Sequence, residues 1–290
     1  MSGKNIINKW IIGFFGFIPV LILYGIAKLL PIDWSSCFFG YVAKKIGPKL
    51  KVSKRGFDNI KSAFPDKKDP EINLLVEQTW ENLGRIAGEF PHVQKIANDP
   101  NRLEVVNLEY MRAAKDSDSP YLMLAGHLGN WEIPHYVVLR EGIEIGLISR
   151  PPNNIWTKKF FEFVRGHEKV PIFYKSVEGS RQIIKFLSKG GKLGVLFDQR
   201  LSDGTPLPLF GRPALTATGP AKLAKRFNGK IIPVQVERVE NKSKFKVTFY
   251  PPLDMNKTPE DLMVSMNKYL ETWIRENPSQ WLWFHKRWKL

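Results

Sequence analysis

The stretch Tyr121-Leu-Met-Leu-Ala-Gly-His-Leu-Gly-Asn-Trp-Glu132 decides the fold. Its first five residues, Tyr121 to Ala125, form a short apolar run of the kind that makes a buried strand. Gly126 ends the run, and apolar residues recur at helical spacing from Trp131 to Leu139. The pattern predicts strand, turn and helix in succession, with His127 in the turn. In open α/β sheets, the space just past the carboxyl end of a strand is where ligands bind. Glu132 follows five residues after His127. In an unbroken helix that spacing would set the two side chains about 140° apart. They meet only if His127 lies in a turn that Gly126 and Gly129 permit. A carboxylate at a helix start sits in a favourable field. From there it would hold the imidazole in one tautomer and leave the other ring nitrogen as a general base.

Downstream, strands and helices alternate. Strands are predicted at residues 143–149, 171–174, 192–197, 230–237 and 245–250, and helices at 155–166, 180–187 and 219–227. A last helix starts at the capping-box-like Thr258-Pro-Glu-Asp261 and runs to about Asn277. Upstream, Asp69-Pro70-Glu71 opens a helix that reaches about Glu89, with Asp69 as N-cap and Pro70 at the first helical position. A short strand at 105–108 and a helix at 109–115 precede the central block. This repetition predicts an α/β fold with a largely parallel sheet. There is no internal repeat, low-complexity tract or second domain.

The 290 residues carry 44 Lys and Arg against 28 Asp and Glu, a formal charge of +16. That surplus suits an anionic partner: nucleic acid, anionic lipid or an acidic protein. The single cysteine, Cys37, excludes an intramolecular disulfide framework and fits a reducing compartment. No Cys/His cluster has zinc-ligand spacing, so no structural metal is expected. Trp10 to Leu30 is apolar for about 21 residues with Lys28 its one charge, long enough to cross a hydrocarbon core of roughly 30 Å. The expected organisation is an N-terminal membrane anchor at 1–35 and a catalytic domain at 36–290. Only Lys4 and Lys9 precede the apolar segment, whereas Lys28, Lys44, Lys45, Lys49, Lys51, Lys54 and Arg55 lie at its end or follow it. The positive-inside rule then sets the bulk of the protein on the cytoplasmic side. Phe38 to Val42, followed by Lys44 and Lys45, suits a headgroup layer.

Two further loops follow predicted strand ends. In Ser149-Arg-Pro-Pro-Asn-Asn154, an arginine held by two prolines suits bidentate capture of a phosphate or carboxylate. Asp198-Gln-Arg-Leu-Ser-Asp-Gly204, continuing to Pro208-Leu-Phe-Gly-Arg212, mixes both signs of charge with a flexible glycine, as an anion or sugar-phosphate site would. The ending Gln280-Trp-Leu-Trp-Phe-His-Lys-Arg-Trp288 interleaves aromatics and cations. It fits a membrane interface, an acidic ligand, or a hydrophobic tail tucked against the core.

The block Gly126 to Glu132 resembles the H-x-x-x-x-D/E motif of glycerolipid-type acyltransferases. More specifically, it resembles the lauroyl/myristoyl secondary acyltransferases of lipid A biosynthesis. Arg150-Pro, Asp198 to Gly204 with Leu209-Phe-Gly-Arg212, and the ending Gln280 to Trp288 are similar to further blocks of that family, in order, so the resemblance runs from about residue 10 to the end. It implies a single glycerolipid-acyltransferase-like domain with a mixed sheet flanked by helices, plus an N-terminal membrane helix. The implied reaction moves a fatty acyl group from an acyl carrier protein thioester to a hydroxyl of a Kdo-bearing lipid A precursor. Its implied place is the cytoplasmic face of a bacterial inner membrane.

On that resemblance His127 is the general base and Glu132, standing where related enzymes have Asp, orients it. Backbone amides around Leu128 to Asn130, with the Asn130 side chain, would stabilise the oxyanion. Arg150, helped by Arg200 or Arg212, would hold a phosphate or a Kdo carboxylate. Asp198 and Gly204 would order the substrate site. No metal or cofactor is implied. The implied partners are acyl carrier protein, the lipid A precursor and inner-membrane lipids. Nucleic acid is not expected, since no known binding module is present. One alternative is an acyl-CoA-dependent transfer to another glycolipid or a lysophospholipid. Another, of a different class, is a non-catalytic, membrane-attached binder of anionic lipid.

Overall fold

A computed structural model of the protein describes residues 3–166 and 170–288, of which 3–12, 165 and 166 are described in backbone only. The amino-terminal part is helical: α1 (Gly3–Leu29), α2 (Ile32–Ile46), α3 (Val52–Ala63), α4 (Asp69–Glu89) and α5 (Val93–Asn98). Next come β1 (Leu103–Val106), α6 (Leu108–Arg112), β2 (Tyr121–Ala125), α7 (Pro134–Arg140) and β3 (Ile145–Ser149). They are followed by α8 (Ile155–Gly166), β4 (Ile172–Tyr174), α9 (Val177–Leu187) and β5 (Lys192–Leu196). A hairpin of β6 (Thr205–Leu209) and β7 (Arg212–Thr216) leads to α10 (Gly219–Arg226). The chain then forms β8 (Lys230–Val239), β9 (Lys244–Phe249) and α11 (Pro259–Glu276).

The main sheet has the order β1-β9-β8-β2-β5-β3-β4. From β8 to β4 all neighbours are parallel, β9 is antiparallel to β8, and β1 is parallel to β9. The expected α/β architecture, a mostly parallel mixed sheet flanked by helices, is therefore present. β2 lies between β8 and β5 and is covered on both faces. Tyr121, Met123 and Ala125 belong to one core with Val137 and Val138 of α7, while Leu122 and Leu124 belong to another with Met266 and Leu270 of α11. Double coverage is why this strand reads as an unbroken apolar run instead of an alternating one.

Two local differences from the sequence reading have plain causes. The helix expected from Trp131 starts at Pro134, because residues 130–133 close a turn in which Ile133 N–H donates to the Asn130 carbonyl at 3.1 Å. The β6–β7 hairpin was not foreseen, since Pro206, Pro208 and Pro213 break any strand pattern. It survives as a two-stranded sheet of its own, tied to α11 by Asn267, whose amide donates to the Pro208 carbonyl at 3.0 Å.

α2 crosses α4 at backbone contact. A Cβ on Gly84 would stand 2.3 Å from the Phe39 carbonyl oxygen, so no larger residue fits there. Ser35 Oγ donates to the Gly88 carbonyl across the same crossing, at 2.8 Å. Residue 35, the boundary expected between anchor and domain, thus falls within a helix packed on the domain.

The expected membrane-spanning anchor is not found: among the described residues, no helix is long and apolar enough to cross a membrane. Residues 10–12 of that expected span lie outside the described side chains. α1 instead runs along the domain. Asn154 Nδ2 donates to the Gly13 carbonyl at 2.8 Å, and the His92 ring Nε2 meets the Ala27 carbonyl at 2.8 Å. Phe17 and Ala27 are buried, whereas Phe15, Ile22 and Leu29 face outward, with Trp34 and Tyr41 of α2 exposed as well.

Candidate active site

His127 and Asp198 are 71 residues apart in sequence and in direct contact in space. The sheet explains why. Ala125 and Leu196 are register partners at the carboxyl ends of adjacent parallel strands, and Phe197 N–H donates to the Ala125 carbonyl. Each functional residue lies two positions past its strand, on the same edge of the sheet. His127 Nδ1 and Asp198 Oδ1 are 2.7 Å apart. Asp198 Oδ2 accepts from the His127 backbone N–H at 2.8 Å and from Trp281 Nε1–H at 2.7 Å.

Asp198 is completely buried. Burial alone would raise its pKa, yet the adjacent His127, its hydrogen bonds and the nearby His285 hold it well below the usual carboxylate range. An ionised Asp198 accepts from Nδ1–H, so the Nε2 nitrogen carries the ring's lone pair. That nitrogen faces Gln199 Nε2 at 3.1 Å, and Gln199 is exposed. The ring is further fixed edge-on by Trp131 and His285, with centroids 5.1 and 5.2 Å away. His285 Nε2 is buried with no hydrogen-bond partner. Burial pushes the His285 pKa down to about 4, against the pull of the Asp198 charge, so this second ring is neutral at neutral pH.

The tautomer-fixing carboxylate is therefore Asp198, in the place foreseen for Glu132. Glu132 N–H donates to Asn130 Oδ1 at 3.2 Å in the turn after Asn130, and Glu132 lines the neighbouring cleft. Asn130 also departs from its expected part as an oxyanion or substrate ligand. It is fully buried, and its amide donates to Glu89 Oε2 at 2.9 Å. Glu89 in turn is held by Arg238, through Nη1 to Oε1 and through Nη2 to Oε2 at 3.0 Å. Of the backbone amides expected to face an oxyanion, Gly129 N–H is engaged by the Gln280 carbonyl at 3.2 Å. Gly129 itself has φ +57°, and a Cβ there would lie 2.6 Å from the Val236 carbonyl oxygen, so the turn requires glycine.

The tail resolves an open alternative: it is tucked inward. Leu128 and Trp281 form an antiparallel bridge, and Trp281, Trp283 and Arg287 are fully buried. Asn59 of α3 donates to the carbonyls of Trp283 and His285 at 2.6 and 2.7 Å, pinning the tail from outside. Trp281 and Gln199 thus belong to the site although neither was singled out from sequence. The interleaved aromatics of the tail were the available signal for Trp281, and its position next to Asp198 was the signal for Gln199.

Trp131, packed on the His127 ring, also lines an apolar cleft of about 720 Å³, open solvent included. Met123, Val138, Leu147, Gly194 and Phe249 line it, together with Trp131, Glu132 and Ser149. Arg150 follows Ser149 and is exposed at the end of β3. Arg200 is half-buried, two residues past Asp198. Gly204 closes a turn, its N–H donating to the Leu201 carbonyl at 3.0 Å. Arg212 lies elsewhere, over the Trp288 ring at 5.5 Å, around a polar pocket that shares no lining residue with the cleft. His127, Asp198 and His285 bring possible metal-ligand atoms within 4.8 Å of one another. Both Asp198 oxygens already accept hydrogen bonds, however, so a cation would have to displace them.

A histidine held at one nitrogen by a buried carboxylate, and packed against a tryptophan that lines an apolar cleft, is an arrangement suited to acid–base chemistry on an apolar substrate. The chain belongs to the family of bacterial lipid A biosynthesis acyltransferases, whose family model matches residues 5–290. It is thus an acyltransferase of lipid A biosynthesis. It is similar to a lipid A biosynthesis acyltransferase of Haemophilus influenzae, with 21% identity over 253 residues, covering 82% of this chain and 76% of that protein. Among solved structures it is similar to the 1-acyl-sn-glycerophosphate (LPA) acyltransferase PlsC from Thermotoga maritima. That match has 13% identity and a TM-score of 0.43, covering 86% of this chain and 98% of that one.

Proposed function

We propose that this protein carries out a secondary acylation, moving a fatty acyl group from acyl carrier protein to a hydroxyl of a lipid A precursor. The observation that carries this reading is the His127–Asp198 pair beside an apolar cleft, in a chain of this family. His127 Nε2 takes the proton of the acceptor hydroxyl as its oxygen attacks the thioester carbonyl. The tetrahedral intermediate then collapses with cleavage of the C–S bond, and the imidazolium returns the proton to the departing thiolate. Products are the ester and the free carrier thiol, and the scheme uses no metal or cofactor. Asp198 keeps Nδ1–H oriented and balances the imidazolium. The donor's acyl chain occupies the cleft. The acceptor hydroxyl replaces the exposed Gln199 at Nε2.

Arg150 and Arg200, near the two strand ends, suit the anionic groups of the precursor. The charge of +16 suits an acidic carrier protein and anionic lipid alike. The outward Phe15, Leu29, Trp34 and Tyr41, together with Lys44 and Lys45, suit a protein seated on a membrane surface. We assign it to the cytoplasmic face of the inner membrane. The test is an acyl-transfer assay with a lipid A precursor and a series of carrier-protein and CoA thioesters. Product with carrier thioesters and little with CoA is expected. Transfer only from CoA, or only to a lysophospholipid, would overturn the substrate assignment.

A further inference from the structure

A second apolar groove shares two lining residues with the first cleft. It runs between α1, α4 and α8, with about 970 Å³ of space, open solvent included. Leu83, Ile86 and Ala87 form one wall and Phe160 and Phe161 the other. Tyr24 meets Phe160 at 4.8 Å between ring centroids, and Phe90 meets Phe161 at 5.4 Å, so aromatic edges line its length. Trp131 and Glu132 line both this groove and the first cleft.

The groove is a built feature. α1 is pinned towards its middle by Asn154 on the Gly13 carbonyl and near its carboxyl end by His92 on the Ala27 carbonyl. Between the pins, Val20, Leu23 and Tyr24 stand over the groove. Leu21, Ile22, Leu23 and Ile26 continue its apolar surface to the outside. Among the described residues Glu132 is the one charged residue of the lining, so the groove suits hydrocarbon along nearly all its length.

We infer that this groove holds a hydrocarbon chain of the acceptor lipid while the first cleft holds the donor's acyl chain. The inference rests on the acyl-transfer reading of the site. Two apolar spaces converge on Trp131, whose ring lies 5.1 Å from that of His127, and the reaction joins two chain-bearing molecules. The first cleft is lined by residues of β2, β3, α7 and the sheet strand β5, between layers of the domain, which suits a chain delivered singly from a soluble carrier. The second opens sideways onto the exposed apolar face of α1, which suits a lipid that keeps its other chains in a bilayer.

The test uses a glucosamine-disaccharide lipid carrying a diazirine in one acyl chain, in vesicles, with full-length His127→Ala protein to prevent turnover. After irradiation, label is mapped by mass spectrometry. Label on the Leu83–Phe90 and Phe160–Phe161 peptides, reduced at least about fivefold by adding Ala87→Trp, supports the groove. Label confined to the first cleft, or spread over α1 and α2 and indifferent to Ala87→Trp, overturns it. In otherwise wild-type protein, Ala87→Trp should raise the KM for the acceptor about tenfold and leave the donor chain-length profile unchanged. An unchanged KM, or a shifted donor profile, also overturns it. Failure of the underlying reaction looks different: groove labelling without transfer to this lipid by the wild type removes the reaction and keeps a lipid-chain site.

Discussion

Two buried carboxylates stand on either side of the loop from His127 to Glu132. Asp198 takes His127, and Glu89 takes Arg238 and Asn130. Both are completely buried, and both accept several hydrogen bonds. The difference lies in their partners. Arg238 is 2% exposed in its side chain and its guanidinium is engaged by Glu89, Asn82 and the Lys242 carbonyl, so the Glu89 pair holds position. His127 has a second nitrogen facing the exposed Gln199, so in the reaction proposed above the Asp198 pair can exchange a proton with the acceptor. Similar burial serves structure on one side of the loop and chemistry on the other.

The largest effect should come from cutting the chemical pair. His127→Ala is expected to lower kcat by between about 10²- and 10⁴-fold while thermal unfolding stays close to that of the wild type. Asp198→Asn, which preserves shape but removes the charge on Nδ1–H, should fall in the same range. Glu132→Gln should cost less than Asp198→Asn. If the order of the two carboxylates were reversed in a transfer assay, Glu132 and not Asp198 would be the catalytic partner of His127.

Cutting the structural pair should do the converse. Arg238→Met leaves Glu89 buried without its cation, a change that costs about 3–5 kcal/mol. The melting temperature should drop by several degrees or more, with kcat per folded molecule changed far less. Replacing both partners by apolar residues should cost less than the single change. A stable Arg238→Met protein with lost activity would place this pair in the chemistry as well.

The asymmetry also sets what could be read in advance. β2 was legible to the residue, because a doubly covered strand declares itself by composition. The His127 turn was legible from Gly126 and Gly129. Asp198 was seen, but as a residue ordering the substrate site, since sequence spacing favours the near carboxylate, Glu132, over one 71 residues away. Counting two residues past each of two adjacent parallel strands would have paired it with His127, but strand order is a tertiary property. Asn130 carried a donor's label without its burial. The Glu89–Arg238 pair left no local trace, its partners being 149 residues apart. α1 was apolar enough to read as a span, while Asn154 and His92, which seat it along the domain, are remote in sequence.

A smaller effect tests the neutral second ring. In the folded protein the His285 pKa is depressed from 6.5 to about 4. As pH falls through that window the unfolded chain takes up a proton that the folded chain refuses. Stability contributed by neutral His285 is thus complete above about 6.5 and lost on the way down to about 4, at most about 3 kcal/mol. His285→Phe should flatten the fall in melting temperature over this range relative to the wild type. Parallel curves for the two proteins would mean that His285 gains its proton without unfolding anything.

The smallest effect concerns the third donor on Asp198. Trp281→Phe keeps most of the ring packing, including the contact with Trp283 at 4.6 Å, and removes only the Nε1–H bond of 2.7 Å to Oδ2. A hydrogen bond to a charged group contributes about 1.5–3 kcal/mol. Part of that should appear as lost stability and part, about tenfold, as lost kcat. The two roles separate in the pH profile. Without the indole donor Asp198 holds more negative charge at the oxygens facing the ring, which favours the imidazolium over the free base. The acid limb of kcat/KM should therefore move to higher pH. Arg238→Met, acting on the other side of the loop, should leave that limb where it is. A Trp281→Phe protein that loses stability with no movement of the limb would make Trp281 a packing residue, and the chemical pair would end at Asp198.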